Sequence, residues 1–180
     1  MKRYCLYLFI LIGISCSAEL KAQKNGTVYK GNDPAVRYTG RTLVSPDGSV
    51  ALDWVGTYLE TRFTGGKLSV KVSETGTSYY NVFVDGKLHK VVKVCGTDTL
   101  IHLVSGIDKR IHSLKIQKRS EGEFGKTTVH QFVLSGSGRL AEEPAVRTRH
   151  IEFIGNSLTC GYGTDGKHRD EPFLVETENC

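Results

Sequence analysis

The sequence predicts a mainly β fold, an antiparallel sandwich or jelly roll, followed by the start of an α/β unit. The 180 residues include 20 glycines but only four prolines, with β-prone residues between the glycine-containing segments. Polar and apolar residues alternate without error over residues 67–73, which is the period of a half-buried strand. No amphipathic helix is evident before residue 140, and the pattern changes after it.

Residues 1–22 are typical of a secretory signal peptide. Two basic residues precede an apolar run over 4–14, and Ala22 supplies a small residue for cleavage. The run is shorter than the about 20 apolar residues that span a bilayer, so we expect export and no transmembrane span. Cys16 could accept a lipid, but Gly13 stands where lipoprotein signals usually carry leucine, so lipidation is not favoured.

Charge and cysteine content argue against two kinds of partner. The leader carries three of the 24 basic and one of the 19 acidic residues, which leaves a net charge of +3. No run of five like charges is present, so nucleic-acid binding is not expected. Three cysteines remain, Cys95, Cys160 and Cys180. They form no Cys/His cluster, so we expect no structural zinc; they should pack as small hydrophobic residues or form one disulfide.

Residues 25–140 predict the sandwich. Its strongest local signal is a hairpin, in which β-prone runs at 80–84 and 88–94 flank Asp85-Gly86. The other predicted strands are 50–54, 58–63, 67–73, 99–104, 111–118 and 127–134, with turns at Gly65-Gly66, Gly76, Gly96, Gly106 and 122–125. About eight strands at this spacing are typical of a sandwich or jelly roll.

Sandwiches of this kind often bind sugars, and aromatic faces suit the C–H surface of a saccharide ring. Trp54, Tyr79 and Tyr80 are therefore candidate sugar contacts. Most aromatic residues on strands belong to the core, however, and Trp54 is the strongest candidate for a core anchor. The six histidines are dispersed along the chain, and we interpret them as structural.

After residue 140 the sequence changes character. Residues 141–149 form a proline-containing linker, and residues 150–154 form a short apolar strand. Gly155, Asn156 and Ser157 follow directly, an arrangement that can present a serine hydroxyl at the carboxyl end of a strand. Asn156 or Ser157 could also serve simply as a helix N-cap.

The segment over residues 151–163, IEFIGNSLTCGYG, resembles the first block of SGNH/GDSL hydrolases, in the form found in carbohydrate esterase family 2. Residues 38–41, 53–56 and 84–86 also resemble the N-terminal jelly-roll domain of that family. The resemblance implies that residues 150–180 begin an SGNH hydrolase domain, and that 180 residues are too few to complete it. We therefore expect a truncated chain.

The resemblance implies a secreted serine esterase that deacetylates plant polysaccharide without a cofactor or metal. Ser157 matches the nucleophile, its backbone N–H matches one oxyanion donor, and Gly155 and Asn156 support the turn. Asn156 departs from the family's usual aspartate. The family's later oxyanion donors and its late histidine match nothing here, so we expect the 180 residues alone to be close to inactive.

Two local patterns could mislead. Asp165 and His168 have the D-x-x-H spacing of the family's acid–base pair but lie too close to Ser157, so His168 is a weak candidate for the base. Residues 161–166 spell G-x-G-x-x-G but do not directly follow a strand, so NAD binding is not expected. The alternative function is a carbohydrate-binding or structural β-sandwich without catalysis.

Overall fold

The computed structural model describes residues 26–141, 148–149 and 151–177. Among these residues lie ten antiparallel strands, a single turn of 3₁₀ helix at Gly122–Phe124 and a one-turn helix α1 at Ser157–Cys160. The strands are β1 Thr27–Lys30, β2 Val36–Thr39, β3 Thr42–Val44, β4 Val50–Leu52, β5 Tyr58–Glu74, β6 Thr77–Val84, β7 Lys87–Cys95, β8 Thr99–Lys118, β9 Thr127–Leu134 and β10 Arg139–Leu140. The predicted mainly β, antiparallel fold is confirmed.

Two long strands, β5 and β8, connect the layers of the sandwich. The first half of β5 pairs with β2 and with the second half of β8, which in turn pairs with β6. The second half of β5 pairs with β9 and with the first half of β8. One layer therefore has the order β3-β4-β9-β5-β8, with β1 beside β9, and the other has the order β2-β5-β8-β6-β7.

The prediction of turns at Gly65-Gly66 and Gly106 was wrong. Both lie inside continuous strands, so the predicted strands 58–63 and 67–73 merge into β5, and 99–104 and 111–118 merge into β8. The register between β5 and β8 shifts at three points between Thr64 and Ser69. Glycine at positive φ here permits bulges that bend a strand from one layer into the other, rather than reversing the chain.

The predicted hairpin at Asp85-Gly86 is confirmed. Val84 on β6 is paired with Lys87 on β7, and the two residues between them have φ of 50° and 77°. Positive φ at both central residues is the conformation of a type I′ turn, whose twist matches that of the flanking strands.

The core lies between the layers and is apolar, with Phe63, Leu68, Phe132 and Leu134 fully buried. Tyr80 belongs to this core, since it is only 4% exposed. Trp54 does not, so its prediction as a core anchor was wrong: the side chain is 57% exposed.

Several buried polar groups in the sandwich form hydrogen bonds with one another or with the backbone. The Tyr80 hydroxyl donates to Thr127 Oγ1 at 2.5 Å, and the Thr127 hydroxyl donates to the Glu74 carboxylate. Burial raises the pKa of Tyr80 well above its usual range. Lys118 is fully buried, and its ammonium donates to the carbonyl oxygens of Asp53 at 2.8 Å and Gly125 at 2.5 Å. A buried charge is tolerated here because backbone dipoles surround it.

Two of the three cysteines retained after the leader lie in the described part of the chain. Cys95 and Cys160 are exposed, so the prediction that they pack as small hydrophobic residues was wrong for both. Cys180, Cys16 and the whole predicted signal peptide lie outside the described residues, as does most of the predicted linker. None of the helices among the described residues has the length and apolar character needed to cross a membrane.

Candidate active site

The segment that leads to Ser157 has no regular structure. Residues 151–156 form neither helix nor strand, although a strand is predicted over 150–154. Ile151, Phe153 and Ile154 are between 81% and 91% exposed. An apolar strand of a parallel sheet depends on neighbours on both sides and both faces, and no strand pairs with these residues in the described chain. The predicted strand is thus absent over 151–154, and His150 lies outside the described residues.

Ser157 is the first residue of α1 and is exposed. Asn156 precedes it in an extended conformation, and its side-chain Oδ1 accepts from the Leu158 N–H at 3.1 Å. The helix ends after one turn, where Gly161 adopts the left-handed conformation and Tyr162 N–H donates to the Ser157 carbonyl at 2.9 Å. Asn156 therefore acts as the N-cap and fixes the chain direction at Ser157.

Gly155 has no space for a side chain. A Cβ at this position would lie 2.0 Å from Thr159 Oγ1 and 2.5 Å from Thr159 Cβ. Thr159 occupies the position of the second glycine in a G-x-S-x-G turn, so its side chain packs directly over Gly155. The tight turn before Ser157 thus depends on glycine at 155.

Asp165, which begins the D-x-x-H pattern, forms an ion pair with Arg119 of the sandwich. The Arg119 side chain is only 8% exposed, and its other terminal nitrogen donates to Asn81 Oδ1 at 3.4 Å. His168 is exposed, and its backbone N–H donates to the Glu171 carboxylate at 3.4 Å. Among the described residues, no hydrogen bond joins a histidine to the Ser157 hydroxyl. The structure therefore brings Asp165 to the sandwich and does not bring His168 to Ser157.

The three candidate sugar contacts lie in different environments. Tyr80 is buried with its hydroxyl bonded to Thr127, so this ring cannot stack on a saccharide, and the prediction for Tyr80 is corrected. Tyr79 is half-buried on β6, and its backbone N–H donates to the Ser120 hydroxyl at 2.9 Å. Trp54 is exposed, and the Arg41 guanidinium lies 4.9 Å from its ring centroid.

Trp54 lies in a surface cleft of about 450 Å³. The cleft is lined by Asp53, Trp54, Val55, Glu121, Gly122 and Glu123. Three of these six residues are carboxylates and none is a cation. No group of three or more His, Cys, Asp or Glu side chains placed to hold a metal ion occurs within residues 26–141, 148–149 and 151–177.

Sequence reasoning missed a second charged cluster, which includes Asp85 of the Asp85-Gly86 hairpin. His112 is buried between two carboxylates, with Nδ1 2.7 Å from Asp85 Oδ2 and Nε2 2.9 Å from Asp108 Oδ1. The hydrogen bond to Asp85 is the main cause of a raised His112 pKa, and Asp108 contributes in the same direction. The sequence predicts only that His112 is a structural histidine; one partner lies in the Asp85-Gly86 turn and the other on β8 itself.

Comparison with known proteins agrees with the fold. The family profile described as "Carbohydrate esterase 2 N-terminal" matches residues 38–144. Cellulase/esterase CelE of Acetivibrio thermocellus is 33% identical over 148 residues, which are 82% of this chain and 18% of that protein. An acetylxylan esterase / glucomannan deacetylase of Cellvibrio japonicus is 28% identical over 135 residues, which are 74% of this chain and 37% of that protein.

Solved structures give the same result. A family two carbohydrate esterase from Clostridium thermocellum, in complex with cellohexaose, superposes with a TM-score of 0.74 at 33% identity, covering 80% of this chain and 44% of that one. A family two carbohydrate esterase from Cellvibrio japonicus superposes with a TM-score of 0.72 at 25% identity, covering 85% of this chain and 45% of that one. The chain thus spans less than half of each of these relatives. The matched profile covers more than half of the 180 residues, and by this match the chain belongs to the carbohydrate esterase 2 family through its N-terminal domain.

Proposed function

We propose that the protein is an exported serine esterase that removes acetyl groups from a plant polysaccharide, with Ser157 as nucleophile. The observation that carries the proposal is the turn at Gly155-Asn156-Ser157, where an N-cap and a glycine without space for a side chain present an exposed serine at the first position of a helix. The acetylxylan esterase and glucomannan deacetylase named among the relatives support the substrate class. The signal-like leader supports export.

In this mechanism the Ser157 oxygen attacks the acetyl carbonyl carbon while a general base takes the hydroxyl proton. The sugar oxygen leaves with a proton, and water then hydrolyses the acetyl-serine to acetate. The Ser157 backbone N–H is the donor that the resemblance assigns to the developing oxyanion. General-base activation contributes about 10²–10⁴-fold in rate, and one oxyanion donor about 10²–10³-fold.

Ser157, the proposed nucleophile, lies among the described residues, but no base is paired with it there. Asp165 is engaged by Arg119, and His168 makes its hydrogen bond through its backbone to Glu171. We therefore propose that the 180 residues alone hydrolyse acetyl esters slowly or not at all, and that a longer chain containing the later family blocks supplies the base.

Two proteins test this proposal side by side: the 180 residues, and the chain extended along its coding sequence. We expect 4-nitrophenyl acetate and acetylated xylan to be hydrolysed by the extended chain alone, with acetate measured directly. Ser157→Ala should abolish this activity, while Ser113→Ala, at an exposed serine on β8, should retain it. Activity in the 180 residues that both Ser157→Ala and His168→Ala abolish would contradict the proposal and identify Asp165 and His168 as a local pair.

A further inference from the structure

The cleft beside Trp54 has the chemical features of a carbohydrate-binding site. Its one large aromatic side chain is 57% exposed, which leaves ring surface accessible to a ligand. The Arg41 guanidinium, 4.9 Å from the ring centroid, holds the ring by a cation–π contact. An exposed indole fixed in this way is a flat apolar platform whose orientation is set before a ligand arrives.

The floor of the cleft contains an acceptor without a donor. Asp53 Oδ1 is inaccessible to solvent and has no hydrogen-bond partner among the described residues. It lies against Gly122, where an added Cβ would be 2.8 Å from the same oxygen. Buried carboxylate oxygens are normally hydrogen-bonded, because a missing donor costs about 1–3 kcal/mol or more. Because a ligand hydroxyl needs the same access as a water molecule, this oxygen is out of its reach, and Asp53 contributes negative charge to the cleft rather than a ligand contact.

Lys118 holds the two walls of the cleft together. Its ammonium donates to the Asp53 carbonyl in one wall and to the Gly125 carbonyl at the end of the other. The backbone adds two further bonds, from Gly56 N–H to the Lys118 carbonyl and from Lys118 N–H to the Thr57 carbonyl, both at 2.9 Å. The cleft is thus fixed by a fully buried charge rather than by flexible surface loops.

We propose that this cleft is a non-catalytic binding site for a neutral oligosaccharide, with one pyranose ring stacked on Trp54 and its hydroxyls donating to the rim carboxylates Glu121 and Glu123. Sugar hydroxyls are donors that carboxylates accept well, and the C–H face of a pyranose suits an aromatic ring. Three of the six described residues that line the cleft are carboxylates and outnumber the Arg41 guanidinium that contacts Trp54, so sugars bearing a carboxylate are disfavoured. The site is independent of Ser157 and would serve an esterase or a binding module equally.

The chain contains a single tryptophan, so its fluorescence reports on this cleft alone. Xylohexaose, cellohexaose and mannohexaose are titrated separately into the protein, and the heat of binding is measured by calorimetry. Hexagalacturonate serves as the charged probe. We expect a saturable change in Trp54 emission with at least one neutral hexasaccharide and none with hexagalacturonate.

The variant Trp54→Ala should weaken binding at least tenfold in calorimetry, which corresponds to about 1.4 kcal/mol. Its matched control is Leu88→Ala, at a side chain on β7 that is also 57% exposed and does not line the cleft. This control and Ser157→Ala should bind as the parent protein does. No saturable heat with any neutral sugar, equal weakening in Trp54→Ala and Leu88→Ala, or loss of binding in Ser157→Ala would each overturn the proposal. Because Ser157→Ala is included, failure of the esterase proposal is distinguishable from failure of this one.

Discussion

The carboxylate of Asp165, eight residues after Ser157, is paired with the guanidinium of Arg119, the residue that directly follows β8. The two partners differ in their environment. The Arg119 side chain is 8% exposed, whereas that of Asp165 is 45% exposed. The sandwich therefore supplies the buried charge of the pair, and the segment after the candidate nucleophile supplies the counter-charge from the surface.

Removing either partner of this pair should have unequal effects. Asp165→Asn leaves a buried guanidinium without its counter-charge, which we expect to lower the free energy of unfolding by about 1–3 kcal/mol. Arg119→Met removes the buried charge and leaves a carboxylate that water can solvate, so its cost should be smaller. Urea unfolding of the two variants measures the difference.

The control for that pair is Asp170→Asn. Asp170 is paired with Arg169, but both side chains are more than 85% exposed, so its loss should change stability by less than about 0.5 kcal/mol. If Asp165→Asn lowers the free energy of unfolding no more than Asp170→Asn does, the ion pair with Asp165 is not needed to stabilise the buried Arg119 side chain.

The His112 cluster should make stability depend on pH in two windows. The pKa of His112 is raised in the folded protein, so protonated His112 stabilises the fold. This stabilisation is fully present below the ordinary pKa of 6.5 and is lost as pH rises through the pKa of the folded state. Hydrogen bonds from the Arg110 backbone and side chain lower the pKa of Asp108 to about 2, and the bond to His112 lowers that of Asp85. The two carboxylates therefore stabilise the fold above about pH 4, and this stabilisation is lost as pH falls through their pKa values in the folded state.

Unfolding by urea between pH 2.5 and pH 9 measures this dependence. The parent protein should be more stable at pH 5.5 than at pH 8.5, and His112→Gln should reduce this difference while costing stability at pH 5.5. An alkaline slope that is the same in parent and His112→Gln would assign it to another group. His89→Gln, at an exposed histidine on β7, is the matched control and should leave the slope unchanged.

Replacing the buried Lys118 should destabilise the sandwich strongly. Lys118→Met keeps the side-chain length but removes charge-assisted bonds to two backbone carbonyls. Hydrogen bonds to charged groups contribute about 1.5–3 kcal/mol each, and removing the charge also ends its desolvation cost, so we expect a net loss of about 2–4 kcal/mol. Lys93→Met, at an exposed lysine on β7, should be within about 0.5 kcal/mol of the parent in the same thermal unfolding measurement.

Two glycines with nearly equal φ should respond differently to alanine. Gly86 has φ of 77° and open space around it, so Gly86→Ala should cost about 1–2 kcal/mol from backbone conformation alone. Gly66 has φ of 83°, and a Cβ there would lie 2.5 Å from the Ser135 carbonyl oxygen. Gly66→Ala should therefore cost clearly more than Gly86→Ala in urea unfolding; equal costs would mean that the β5 bulge relaxes freely.

Short sequence motifs predicted the structure correctly where adjacent residues alone determine the backbone conformation. Asp85-Gly86 identified its hairpin because a type I′ turn demands positive φ at two adjacent residues. The same residue type misled at Gly66 and Gly106, since glycine permits a bulge as readily as a turn. Only the pairing of β5 with strands in both layers distinguishes the two, and that pairing is not encoded in the few neighbouring residues.

The candidate site shows the same division. Gly155, Asn156 and Ser157 were identifiable because the N-cap and the tight turn are built from adjacent residues. The exposure of Trp54 could not be predicted in this way, because a tryptophan beside a strand is usually buried. Its environment depends on the distant Gly122–Phe124 turn. Arg119 was missed entirely, since its partner lies 46 residues away and nothing in the intervening sequence connects them.

That separation of 46 residues also has a consequence for the order of folding. All ten strands of the described chain precede residue 141, so the sandwich can form before the segment that carries Asp165 has docked against it. Until that segment docks, Arg119 is a positively charged, partly desolvated position of the sandwich without its counter-charge, and the arrival of Asp165 completes the ion pair.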